Sequence, residues 1–170
     1  ITESPSNVIA LDAVTGRTFW TYEHEMKPGT RVCCGENNRG VAVLDDMVFV
    51  GTIDARLVAL YIATGNVIWD VEVERPEAGY SITSAPLVVG DKVITGMAGG
   101  EFGVRGFLDA YDVKTGELAW RYYTIPGPGE PGNETWSGDS WKTGGAPTWV
   151  TGSYDPELNL VYWGTGNPAP

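Results

Sequence analysis

The stretch Ala10-Leu11-Asp12-Ala13-Val14-Thr15-Gly16-Arg17-Thr18-Phe19-Trp20 recurs twice along the chain. It returns as Ala59-Leu60-Tyr61-Ile62-Ala63-Thr64-Gly65-Asn66-Val67-Ile68-Trp69 and as Ala110-Tyr111-Asp112-Val113-Lys114-Thr115-Gly116-Glu117-Leu118-Ala119-Trp120. The shared pattern is Ala-x-Asp-x-x-Thr-Gly-x-x-x-Trp, with Tyr61 standing where the other copies have Asp. The copies start at residues 10, 59 and 110, a period near 50. Such a period is long for a helical repeat and suits four short strands with their turns.

Local chemistry supports strands. Apolar or alternating runs precede each copy: Asn7-Val8-Ile9-Ala10, Arg56-Leu57-Val58-Ala59-Leu60 and Gly106-Phe107-Leu108-Asp109-Ala110. The Thr-Gly step is a hairpin signal, because glycine takes positive φ without a steric penalty. The Asp of the pattern can accept hydrogen bonds from the turn amides. Further strand pairs read as Gly40 to Leu44 with Met47 to Gly51, and as Ala85 to Val89 with Lys92 to Gly96. Leu160 to Gly164 reads as another strand, and no amphipathic helix longer than two turns is evident. Four antiparallel strands per repeat, with a Trp at a fixed place, predict an all-β fold, a β-propeller whose Trp residues dock between blades. The chain holds about three to three and a half blades, and residues 1–170 read as one partial domain. The Gly- and Pro-rich stretch at about 124–146 reads as a long loop inserted within a blade, and loops of that length are often functional.

Composition narrows the partners. The chain has 170 residues, 42% of them hydrophobic, with 23 Gly, 11 Pro, 7 Trp and a net charge of −11. Nucleic acid is excluded by that charge, since phosphate binding needs a basic face. Anionic lipid is disfavoured on the same ground. No apolar run reaches the length of a membrane span. The opening Ile1-Thr2-Glu3-Ser4 has no basic start, no initiator Met and no signal peptide, and reads as the interior of a longer protein.

Four features could carry chemistry. Cys33 and Cys34 are adjacent and are the only cysteines. Neighbouring Cα atoms lie about 3.8 Å apart, closer than ordinary disulfides prefer, so two free thiols and a strained ring both stay open. Glu101 sits among Gly99, Gly100, Gly103 and Gly106, either a solvated turn or a carboxylate that backbone lets a ligand approach. Asn167 ends a strand, and an Asn oxygen with a Glu carboxylate suits a hard cation such as calcium. Trp149, one of an aromatic set with Trp136, Trp141 and Trp163, lies outside the repeat pattern and reads as a flat platform or as packing. The single His24 leaves no His-based zinc site and no obvious catalytic triad. No phosphate loop is present. Asn133-Glu134-Thr135 fits a glycosylation sequon, a match frequent by chance.

Together these stretches resemble the pyrroloquinoline quinone (PQQ)-dependent alcohol dehydrogenases, the methanol and ethanol dehydrogenase group. The segments that carry the resemblance are Cys33 to Gly40, Gly51 to Ala59, Ala98 to Gly106, Thr135 to Lys142 and Gly164 to Pro168. The resemblance implies an eight-bladed propeller. It implies a Cys33–Cys34 disulfide on one face of the quinone and Trp149 stacking on the other. It further implies Arg39 and Thr83 as hydrogen-bonding partners, Gly99 and Gly100 as close-approach positions, and Glu101 and Asn167 as ligands of calcium or a lanthanide. Many relatives have Ser where Ala98 stands. The implied reaction passes hydride from a small primary alcohol to the quinone, with electrons leaving to an acceptor such as a cytochrome c in the periplasm. The family's basic Asp would lie beyond Pro170, so the chain alone is expected to be inactive. Two other functions fit the repeats: a non-catalytic propeller acting as a protein-binding scaffold, and a quinoprotein sugar dehydrogenase.

Overall fold

A computed structural model describes residues 1–169 and is built from antiparallel sheets. Strands β1 (Thr2–Glu3), β2 (Asn7–Leu11) and β3 (Thr18–Tyr22) form the first sheet. The second contains β4 (Val41–Leu44), β5 (Met47–Gly51), β6 (Arg56–Tyr61) and β7 (Val67–Glu72), paired in that order. In the third, β8 (Leu87–Val89), β9 (Lys92–Gly96), β10 (Phe107–Asp112) and β11 (Leu118–Tyr123) repeat the same meander. The fourth comprises β12 (Ser153–Asp155) and β13 (Leu160–Tyr162). Two complete four-stranded blades thus stand between two partial ones, a partial propeller as the repeats predict. Helical structure among the described residues is limited to short 3-10 turns, and no helix is long and apolar enough to cross a membrane.

Alternation along β5 explains the core. Met47 and Phe49 face the third sheet, where they pack with Ile82, Val93, Met97 and Phe107. Val48 and Val50 face the first sheet, with Val8, Val58 and Leu60. Successive side chains of a strand point to opposite faces. Because both faces of this blade are covered, Met47 to Val50 is apolar throughout and buried throughout.

The repeat pattern is a docking device. In each copy the Ala pairs across the hairpin with the Trp: Ala10 with Trp20, Ala59 with Trp69, Ala110 with Trp120. A register shift follows each of these alanines, and such bulges bend and twist the strand. The Trp20 Nε1 donates to the Ile62 carbonyl (2.8 Å) and the Trp69 Nε1 to that of Val113 (2.9 Å). Each indole lies on the Gly of the next sheet's Thr-Gly turn. A Cβ at Gly65 would fall 2.5 Å from Trp20 Cε3, and one at Gly116 would fall 2.9 Å from Trp69. Asp12 and Asp112 accept turn amides (Val14 and Thr15; Lys114 and Thr115), whereas the Tyr61 turn closes by backbone bonds and the Thr64 hydroxyl, which accepts from Asn66 N–H.

An ion pair within the third blade is tied through its arginine to the end of the second. Arg121 makes a two-pronged contact with Asp109 (2.7 Å for each prong), and Asp109 also accepts from Tyr111 Oη. The same guanidinium reaches Glu74 (3.2 Å) and the Val73 carbonyl, and lies 3.6 Å from the Phe107 ring centre.

One expectation is corrected. The stretch at 124–146 joins β11 to β12, so it runs between blades and not within one. It carries 3-10 turns at Asn133–Thr135 and Ser140–Thr143. Arg105 anchors it, donating twice to the Ile125 carbonyl and lying over Tyr123 and Trp141. Pairing gave no sign of this boundary, because a Gly- and Pro-rich run looks the same on either side of a blade's outer strand.

The Arg121 contact makes a quantitative prediction. Replacing Arg121 by Met strands the Asp109 charge in the core and should destabilise the full-length protein by about 3–5 kcal/mol. Lys142→Met, which breaks an exposed pair with Asp139, should cost less than about 1 kcal/mol. Denaturant titration of both variants measures the difference.

Candidate functional site

Three successive connections between sheets converge on one cavity of about 290 Å³. The segment before β4 supplies Cys33, Cys34, Asn37 and Arg39; the segment before β8 supplies Ser81 and Thr83. The turn after β9 adds Ala98, Gly99 and Glu101, and the segment before β12 adds Pro147 and Trp149. Thus Cys33, Cys34, Arg39, Thr83, Gly99, Glu101 and Trp149, far apart in sequence, share one wall-to-wall space. Gly100 and Asn167 flank it. Gly100 packs beside Pro147, and the Asn167 carbonyl accepts from Ala146 N–H at 2.8 Å.

Each wall is tied to the sheets. Cys33 and Cys34 are joined in a disulfide, with Cα atoms 3.8 Å apart. Cys34 has φ of +65° and Gly35 of +88°, the left-handed region that a non-glycine residue rarely adopts. Arg39 donates from its side chain (3.0 Å) and its backbone (3.2 Å) to the Thr83 carbonyl, and its guanidinium lies 5.1 Å from the Trp149 ring centre. Thr83 Oγ1 in turn donates to the Trp149 carbonyl at 3.3 Å. Thr148, fully buried, accepts from Met97 N–H (2.8 Å) and donates to the Phe107 carbonyl (2.6 Å). That residue locks the start of the Trp149 segment onto β9 and β10, while the Trp149 ring stays 42% exposed. Gly99 has φ of +118°, and a Cβ there would collide with the Gly79 carbonyl, so backbone alone forms that part of the wall.

The other members of the aromatic set pack. Trp136 lies against Gly144, Trp141 under Arg105, and Trp163 donates to the Thr148 carbonyl (3.1 Å). His24 is likewise structural. A carboxylate only accepts, so the His24 Nε2 donates to Asp54 (2.8 Å), and Tyr22 Oη lies 3.0 Å from Nδ1. Asp54 also accepts from Thr52 Oγ1 and Lys27 N–H. Burial raises the Asp54 pKa, but the hydrogen bonds from His24, Thr52 and Lys27 outweigh it and bring it down to about 2. The cluster pins the beginning of the connection that carries Cys33 and Cys34.

Residues 1–170 match the protein family described as "PQQ: Glucose/ethanol/alcohol dehydrogenase, beta-propeller domain". The chain belongs to this family. It is 47% identical to the quinoprotein alcohol dehydrogenase PedH of Pseudomonas putida, covering 100% of this chain and 31% of PedH. With the quinohemoprotein alcohol dehydrogenase ADH IIB of Pseudomonas putida it shares 51% identity over 97% of this chain and 26% of that protein. Its fold superposes on a europium-containing methanol dehydrogenase with a TM-score of 0.89 at 38% identity, covering 97% of this chain and 32% of that one. This member of the PQQ family therefore spans about a third or less of the length of these relatives.

The cavity residues fit a flat, carboxylated quinone beside a cation. Arg39 and Ser81 offer a cation and a hydroxyl to carboxylates, the Trp149 indole and the Cys33–Cys34 unit offer apolar faces, and Glu101 offers a hard oxygen donor. Among the described residues no group of three or more His, Cys, Asp or Glu gathers into a metal cluster, and Glu101 is the one carboxylate on the cavity lining. Asn37, Ser81 and Pro147 were not legible as site residues. Ser81 pairs by backbone with Ala98, and both line the cavity.

Asp54 makes the pH behaviour testable. Its folded pKa lies below the unfolded value of about 3.9, so its stabilisation is present above pH 4 and is lost as pH falls through about 2. Asp54→Asn should remove roughly 2 kcal/mol of stability at neutral pH and flatten the acid limb of the stability curve between pH 4 and 2. Urea titrations of the full-length protein at stepped pH check this.

Proposed function

We propose that this chain is part of a quinoprotein alcohol dehydrogenase that oxidises a small primary alcohol to the aldehyde with PQQ and calcium or a lanthanide. The observation that carries the reading is the convergence of Cys33–Cys34, Arg39, Thr83, Glu101 and Trp149 on one cavity, in a chain of the PQQ family. A scaffold propeller needs its docked Trp residues and has no use for this set.

When bound, the quinone supplies a two-electron acceptor and the metal supplies a Lewis acid that polarises it. The residues of this chain bind and orient. Trp149 and the Cys33–Cys34 disulfide form the two plates. Arg39 and Thr83 hold polar edges, and their mutual hydrogen bonds keep both in place before any ligand arrives. Gly99 and Gly100 let backbone close in, and Glu101 with Asn167 contributes metal ligands. Glu101 is the one carboxylate among the residues lining the cavity; as a metal ligand it is not free to act as general base. The 170 residues alone, a partial propeller domain, are therefore expected to show no turnover. A persistent disulfide suits an oxidising compartment such as the periplasm, with a c-type cytochrome as electron acceptor.

The test uses the full-length protein reconstituted with PQQ and either calcium or a lanthanide, with a dye as acceptor. Alcohol-dependent dye reduction is expected, and Glu101→Ala should lower it by about 10²–10³-fold while weakening metal retention. No quinone binding and no alcohol oxidation under any metal would leave the scaffold reading in its place. Preference for aldoses over alcohols in a substrate profile would move the assignment to a sugar dehydrogenase.

A further inference from the structure

Asn37 lines the same cavity, and its side chain is spent on the residue next to the disulfide. Its Nδ2 lies 2.7 Å from the Cys34 carbonyl and 3.3 Å from that of Gly35. Both partners are carbonyls, which only accept, so the amide nitrogen is the end of the side chain that faces them. The Asn37 backbone N–H also donates to Gly35 O, at 3.0 Å. Side chain and backbone of one residue therefore close a turn around Cys34 and Gly35.

That turn adds to the constraint that the Cys33–Cys34 ring already places on the backbone. Cys34 is one of few non-glycine residues with positive φ, and this conformation carries a cost unless its surroundings impose it. Cys34 and Asn37 are both exposed on the cavity wall, so no packed core fixes the turn from behind. Elsewhere the segment is tied at its ends: Asn38 donates to the Gly51 carbonyl (2.8 Å), Arg39 to Thr83, and Lys27 to Asp54. Between Lys27 and Asn38, the Asn37 amide is the side chain that reaches the carbonyls of Cys34 and Gly35.

We infer that Asn37 is a positioning residue, which clamps Cys34 in its left-handed conformation and so sets the plane of the Cys33–Cys34 plate. This rests on the quinoprotein reading for what the plate faces, but the clamp itself is a property of the turn. Loss of the clamp frees the plate to tilt. Two consequences follow: a looser disulfide that external thiols attack faster, and a less complementary surface for a flat ligand.

The experiment compares wild type with Asn37→Leu, which keeps the size and removes both donors, and with Asn37→Gln, which restores an amide one methylene further out. The first readout needs no cofactor. Apo full-length protein is treated with dithiothreitol, whose thiolate opens the disulfide to two free thiols as the reagent closes to its own cyclic disulfide, and the thiols are counted against time. Asn37→Leu should be reduced about tenfold faster than wild type, the scale of one to two lost hydrogen bonds, with Asn37→Gln in between. The second readout is PQQ affinity by its absorbance, which should weaken in the same order, with the unfolding midpoint little changed. Equal reduction rates in wild type and Asn37→Leu would overturn the inference. If wild type binds no PQQ, the functional reading fails by itself, and the thiol kinetics still decide the role of Asn37.

Discussion

The indoles of Trp20 and Trp69 each rest on a glycine of the following sheet and donate to a carbonyl beside it. Much of the remaining architecture is arranged to make that contact possible. The Thr-Gly turn presents a backbone surface with no Cβ. The Ala opposite each Trp leaves room for the ring, and the register shift after it turns the strand. A flat apolar ring with a single polar atom suits the junction, because the ring is half-buried while its N–H still finds an acceptor. The third repeat Trp, Trp120, is 43% exposed and pairs with Ala110 in the same way. The Thr-Gly turns that Trp20 and Trp69 cover each join the third and fourth strands of the next sheet, a pair of strands that the described residues do not include for the fourth sheet.

The fold was legible because each of these demands leaves a letter in the sequence. Ala, Gly and Trp at fixed spacing carry the docking, and the unbroken apolar run at Met47 to Val50 reports a strand covered on both faces. The site was legible differently. Cys33, Cys34, Glu101 and Trp149 are conspicuous because adjacent cysteines, a glycine-flanked carboxylate and a Trp outside the repeat are each unusual. Asn37 and Ser81 are common loop residues, and only their position against Cys34 and Ala98 gives them meaning. His24, conspicuous as the one histidine, proved to be buried scaffolding for Asp54.

Blade docking and the cavity are one problem. Most of the cavity wall comes from connections that precede the first strands of three different sheets, with the β9–β10 turn adding Ala98, Gly99 and Glu101, so the spacing of the walls is set by the angle between blades. A loop cannot hold such a geometry by its own contacts, and here it does not have to. Arg39 bonds to Thr83 across one blade boundary, Thr83 to Trp149 across the next, and Thr148 is buried against β9 and β10. Hydrogen bonds of this kind give modest stability, about 1 kcal/mol each, but they are directional. The large apolar surfaces hold the blades together, and these few bonds convert that packing into a defined distance between Arg39 and Trp149.

The same logic explains where the structure tolerates strain. Positive φ at Cys34 and the close approach of Gly99 to Gly79 both lie on the cavity wall, and the other non-glycine residues with positive φ, Asp45, Ala55, Ala146 and Asn159, lie in connections outside the strands. Strained backbone persists only where neighbouring structure over-determines it. Around Gly99 the determining structure is the packed core, through Met97 and Val104, and no side chain need intervene. Around Cys34 the surroundings are open, and the Asn37 side chain closes the turn beside the disulfide ring. The cavity thus has one wall made rigid by burial and another made rigid by hydrogen bonding. The second is the wall more exposed to solvent, where a polar clamp works and an apolar one would have nothing to pack against.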